Sequence, residues 1–129
     1  MNMATLEQDR IGIQIARCRE WIEAALEYGG DTHDYEHVAY GILEGAMQLW
    51  PAEDGCLVTE LLQYPKKKVL HIFLAGGKLQ TLTDMHEDVI AWAQAQGCSA
   101  LTLSGRKGWV RALESFDWKP TLITLSKEI

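Results

Sequence analysis

Residues 55–64 and 69–75 are two apolar, strand-like runs separated by a short polar tip, and this arrangement constrains the fold most. Val58 and Thr59 favour extended backbone, and the first run is too apolar on both faces for an exposed edge. Between the runs, Pro65-Lys66-Lys67-Lys68 reads as a solvated hairpin tip, since proline and charged side chains suit a turn. The expectation is an antiparallel hairpin inside a sheet. In its second strand, Leu70, Ile72 and Leu74 are expected to share one face, and Val69, His71 and Phe73 the other.

Helical periodicity surrounds this hairpin. Residues 11–28 carry Ile11, Ile15, Cys18, Ile22, Ala25 and Leu26 at three- and four-residue steps, and Gly29-Gly30 stops them. Asp31 and Thr32 are candidate caps for a second helix with Val38, Ile42 and Leu43 on its apolar side, ending near Gly45. Residues 47–50 read as a short strand before Pro51. After Gly76-Gly77, residues 78–96 form a strong helical pattern through Leu79, Leu82, Met85, Val89, Trp92 and Ala93. A strand over 99–103, a loop over 104–108, a short helix over 109–116 and a last strand over 121–125 complete the order. Helices alternating with strands after an antiparallel hairpin imply an α/β chain with a mixed central sheet and helices on both faces. No linker divides residues 1–129, so one domain is expected.

Composition narrows the function classes. A net charge of −6 argues against a broad nucleic-acid surface, which needs excess Lys and Arg. No apolar run approaches the roughly 18 residues that cross a bilayer, and the first ten residues lack the apolar centre of a secretion signal. Three widely spaced cysteines without a Cys-x-x-Cys pair fit small buried hydrophobes in a cytosolic protein.

The second half carries more specific wording. Gly76-Gly77 precedes a long helix, Ala93-Gln94-Ala95-Gln96-Gly97-Cys98 ends it, and Leu101-Thr102-Leu103 follows. Arg111-Ala112-Leu113 with Phe116-Asp117-Trp118 comes before the last strand. This passage resembles the GNAT family of N-acyltransferases. Gln48-Leu49-Trp50, Val58-Thr59-Glu60, Leu74-Ala75-Gly76-Gly77 and Gly105-Arg106-Lys107-Gly108-Trp109 look like the short GNAT-like proteins of tailed bacteriophages. The resemblance implies a GNAT-like fold, acetyl-CoA as candidate cofactor, an amine acceptor and, in the phage setting, association with a virion or a host protein.

The chain departs from that family's pattern at two places. Its Gln/Arg-x-x-Gly-x-Gly/Ala pyrophosphate loop corresponds here to the stretch from Ala75 to Thr81, where the spacing is absent. Gly76, Gly77, Lys78 and Leu79 still offer backbone amides and a cation at a helix start, or else the glycines make only a sharp turn. The tyrosine that protonates the leaving thiolate falls on Leu113, which donates no proton. The family's asparagine falls on Arg106, which binds a phosphate or carboxylate or else caps the last strand.

For general-base chemistry Glu60 is the best carboxylate, because burial in an apolar strand raises a carboxyl pKa. The alternative is a solvated face or a structural pair. His71 on the next strand is placed to sit near it. His33-Asp34-Tyr35-Glu36-His37 matches His-x-x-Glu-His, yet no convincing third ligand follows, so a polar helix start is expected and no metal. Trp21, Trp92 and Trp109 are expected in the core, Trp50 and Trp118 partly exposed. Two functions stand: a structural or interaction protein on a GNAT-like fold, and an acetyl-CoA-dependent N-acyltransferase.

Overall fold

The computed structural model describes residues 3–129. Its elements run α1 (Met3–Arg17), α2 (Arg19–Leu26), α3 (Tyr35–Leu43), β1 (Met47–Pro51), β2 (Gly55–Gln63), β3 (Lys68–Gly77), α4 (Leu79–Asp84), α5 (His86–Ala95), β4 (Ala100–Leu103) and α6 (Gly108–Ala112). A short 3-10 turn, Glu114–Phe116, follows. The sheet order is β1-β2-β3-β4, with the first two pairings antiparallel and the third parallel. The mixed sheet with helices on both faces is therefore present.

Two apolar clusters cover the two faces. Ile15 of α1, Ile22 of α2, Cys18 between them, and Val38 and Ile42 from α3 pack on Cys56, Val58 and Leu74. On the opposite face Leu82, Val89 and Ala93 from α4 and α5 pack on Leu57, Leu70 and Ile72. Leu82, Met85 and Val89 all serve the sheet as the periodicity predicts. Of the cysteines, Cys18 and Cys56 are buried and Cys98 is half-buried. All five tryptophans are half-buried, so the expected split between core and exposed rings does not hold.

Several expectations need correction. The helix expected over 11–28 is two helices interrupted at Cys18 (φ −87°, ψ 2°). It also starts earlier, through good helix formers such as Leu6, Glu7 and Gln8. Ile15, Cys18 and Ile22 stay on one stripe across the interruption, so the pattern hides it, while Ile11 is exposed. The helix over 78–96 likewise breaks at Met85. Neither Asp31 nor Thr32 caps α3. Asp31 has φ 57°, a left-handed turn conformation, and the N-cap is Asp34, whose N–H donates to His37 Nδ1 at 3.0 Å.

Leu74 does not share a face with Leu70 and Ile72. Val58 pairs with Leu74 but Thr59 pairs with Ile72, so Phe73 is an extra residue in β3. Such a bulge reverses the alternation beyond it. The strand expected over 121–125 is not formed: the segment has no sheet partner, and Leu122, Ile123 and Leu125 lie in solvent.

Fully buried Leu70 supports the α4–α5 face from the centre of the sheet, whereas Ile13 on α1 is 65% exposed. Leu70→Ala is expected to cost about 2–5 kcal/mol in chemical denaturation. Ile13→Ala should change stability by less than about 0.5 kcal/mol. Equal effects would contradict this placement of the core.

Candidate ligand-binding cleft

The strand β3 has two neighbours only along its first half. Val69, Leu70, His71 and Ile72 pair with β4, whereas β2 follows β3 as far as Gly77. Beyond Ile72, the backbone groups of β3 that point away from β2 have no strand partner among the described residues. The space left between the diverging strands is a cleft of about 510 Å³. One wall is Phe73 to Gly77, the other Ser104 to Arg106 with Gly108 and Trp109, and Leu79 and Leu82 of α4 and the end of α2 close it. The bulge at Phe73 bends the strand where the cleft begins.

Of the residues expected to hold a cofactor, Gly76, Gly77, Leu79 and Arg106 line this cleft and Lys78 does not. Both glycines are required by close packing. A Cβ on Gly76 would lie 2.7 Å from the Trp21 carbonyl oxygen, and Gly77 has φ +102° with the Asp54–Gly55 backbone 2.3 Å from where its Cβ would sit. Lys78 turns to the β1–β2 turn, its N–H donating to the Asp54 carbonyl at 3.2 Å and its ammonium 3.4 Å from the Asp54 carboxylate. The Thr81 hydroxyl donates to that carboxylate and, with Lys78, holds its pKa below the usual carboxylate value. Arg106 lies over the Tyr28 ring, 4.0 Å from its centroid, and bridges the mouth of the cleft from the β4–α6 loop to the end of α2. Leu113, where the resemblance sets the family's thiol acid, is buried.

Glu60 and His71 do come together. They are direct partners across the β2–β3 ladder, and the His71 Nδ1 lies 2.8 Å from the Thr102 hydroxyl on β4. Both are half-buried, and neither lines the cleft. Burial pushes the His71 pKa below its ordinary value, and the Glu60 charge pulls it partly back. The next residue but one along β3, Phe73, reaches the cleft and meets the His33 ring edge-on at 4.7 Å. His37 is committed to the α3 cap and His33 Nδ1 lies 2.6 Å from the Thr32 hydroxyl. Among the described residues no three His, Cys, Asp or Glu side chains are grouped to hold a metal ion. Nor is any helix there long and apolar enough to cross a membrane.

No protein-family model and no curated protein matches the chain. Solved structures do. A point mutant of TTHA1254 from Thermus thermophilus aligns over 92% of each chain at 13% identity, with a TM-score of 0.62. An acetyltransferase from Trypanosoma brucei aligns over 74% of this chain and 78% of its own, at 9% identity and a TM-score of 0.58. The ribosomal-protein-alanine N-acetyltransferase of Brucella melitensis aligns over 84% and 94%, at 13% identity and a TM-score of 0.51. The fold is GNAT-like. Within this GNAT-like frame the cleft residues that sequence reasoning missed are Tyr28, Phe73 and Trp109. Tyr28 sits past the helical stripe, Phe73 is marked by a bulge that alternation does not show, and Trp109 reads equally well as core.

The lowered His71 pKa gives a signed prediction. The unfolded chain takes up this proton first as pH falls below about 6.5, so the stability gained by burying neutral His71 is full above that pH and is lost as pH drops toward the folded value. His71→Asn is expected to flatten the fall in stability between pH 7.5 and 5 relative to the parent. Parallel stability–pH curves for the two proteins would contradict burial of His71.

Proposed function

We propose that this GNAT-fold protein works as an interaction or structural protein whose cleft keeps the shape, but not the chemistry, of an acyl-CoA site. One observation carries the reading. Among the described side chains lining the cleft, the only titratable ones are Tyr28 and Arg106, and these stack on each other. Amine acylation needs a group to take the ammonium proton and another to protonate the departing thiolate. Leu113 supplies neither, and although the Tyr28 phenol could donate a proton, no carboxylate or imidazole among the described lining residues takes up the one the ammonium must lose. The open edge of β3 still suits an extended, amide-bearing arm such as that of CoA, which would add to it as a strand does. Arg106 is the cation facing the cleft, and Leu79 at the start of α4 lines it as well.

The phage resemblance supplies the setting of this proposal, a virion-associated or host-directed protein with a protein partner. A second reading, an acetyl-CoA-dependent N-acyltransferase, is favoured by the Glu60–His71 pair. A neutral His71 accepts a proton, and it lies one same-face step from Phe73. In that reading an ordered water would link the pair to the amine.

Calorimetry with acetyl-CoA, together with a free-thiol assay over a panel of amines, separates the two. Binding is expected to be weaker than roughly 10 μM, about 7 kcal/mol. No thiol release above background is expected. Tighter binding with amine-dependent thiol release, abolished in His71→Asn, would establish the second reading. Gly77→Val is unsuitable as a binding probe, because its side chain would collide with the Asp54–Gly55 backbone. Arg106→Ala leaves the core untouched and is expected to weaken any anion binding in a salt-dependent way.

A further inference from the structure

The cleft has a branch. Ala75, Leu82 and Trp109 line both the cleft and a smaller pocket of about 30 Å³ on the α4–α5 side of the sheet. Leu57, Ile72, Leu103 and Leu113 give this pocket aliphatic walls, and its His86 ring is engaged by the Trp118 indole N–H at 3.0 Å. A space of that size takes a small aliphatic group and no ring.

On the opposite face the cleft meets positive charge. Arg106 lies over Tyr28, just past α2, and α2 packs in the α1–α3 layer through Ile22. Residues 104–113 carry Arg106, Lys107 and Arg111 and no carboxylate, and all three cations are exposed, in a chain whose net charge is −6. No Asp or Glu lines the cleft among the described residues. Between the aliphatic pocket and Arg106 runs the free half of the β3 edge, Phe73 to Gly77, about 17 Å of extended backbone.

Sheet edges hold extended chains by main-chain hydrogen bonds and choose among them through pockets for alternate side chains. Successive side chains of an added strand point to opposite faces. A residue that enters the aliphatic pocket therefore has sequence neighbours directed to the Arg106 side. We infer that the cleft takes an extended segment of a partner protein in which an acidic residue stands between two small aliphatic residues. This rests on the reading that the cleft binds without acyl transfer. The partner's backbone pairs with residues 73–77, an aliphatic side chain fills the small pocket, and the carboxylate meets the Arg106 guanidinium. Lys107 and Arg111 add to the attractive field around it.

Amide NMR titration of the full chain with the blocked peptide acetyl-Ala-Val-Glu-Val-Ala-amide tests this. Blocking both ends leaves the glutamate as its only charge. Shifts are expected at 73–77 and 104–109, with slowed hydrogen exchange in 73–77. The peptide with lysine in place of glutamate should bind several-fold more weakly, and the difference should shrink at high salt. Tryptophan in place of both valines should weaken binding as well. Of two peptides N-methylated at alternate positions, one at the valines and one at the glutamate, one should lose binding and the other keep it, since alternate amides face the edge. Arg106→Glu, at an exposed position, should stay folded by circular dichroism and reverse the preference toward the lysine peptide. Shifts on another surface, no shifts at roughly millimolar peptide, or equal binding of the glutamate and lysine peptides would overturn the inference. Amine-dependent thiol release from acetyl-CoA would instead overturn the reading beneath it, in a separate assay.

Discussion

Everything around the cleft depends on how far β3 is paired on each side. β2 accompanies it from Gln63–Lys68 to Gly55–Gly77, while β4 leaves it after Ile72. A strand in the middle of a sheet thereby becomes an edge halfway along its length. The Phe73 bulge falls at the transition. It turns Leu74 toward the α1–α3 layer while Ala75 packs on the α4–α5 side, so both layers remain supplied with apolar side chains where the sheet opens.

The glycine pair at the end of β3 belongs to the same constraint. α2 approaches so closely that Gly76 has no room for a Cβ, and the β1–β2 turn lies against Gly77 in a conformation that suits glycine. Both residues line the cleft, but the packing by itself accounts for their identity. Lys78 is drawn away by Asp54 in the same turn. The residues of this loop tie β3, the β1–β2 turn and α4 together, and the cation left facing the cleft is Arg106.

Much of the fold was legible in the sequence because hydrophobic period reports layers well. The hairpin, its direction, the helical face of Leu82, Met85 and Val89, and the meeting of Glu60 with His71 all follow from alternation and turn chemistry. What stayed hidden has physical reasons. Helix interruptions at Cys18 and Met85 keep the apolar stripe in phase. A bulge adds one residue without any compositional mark, so alternation alone misplaces Leu74. The segment 121–125 has a strand's composition, but no strand among the described residues pairs with it. In the candidate site, Gly76, Gly77, Leu79 and Arg106 come from the GNAT resemblance, which sets its phosphate loop and its asparagine there, while Tyr28 enters only through its stacking with Arg106.

The central proposal is that a ligand of the cleft adds to the unpaired edge of β3, independent of whether acyl transfer occurs there. Amide chemical shifts followed by NMR during titration with acetyl-CoA test it most directly. The account predicts progressive, fast-exchange shifts concentrated at Phe73 to Thr81 and at Ser104 to Trp109, with Glu60 and β1 little affected. Saturating additions that leave residues 73–77 unmoved, or that shift a different surface, would contradict it.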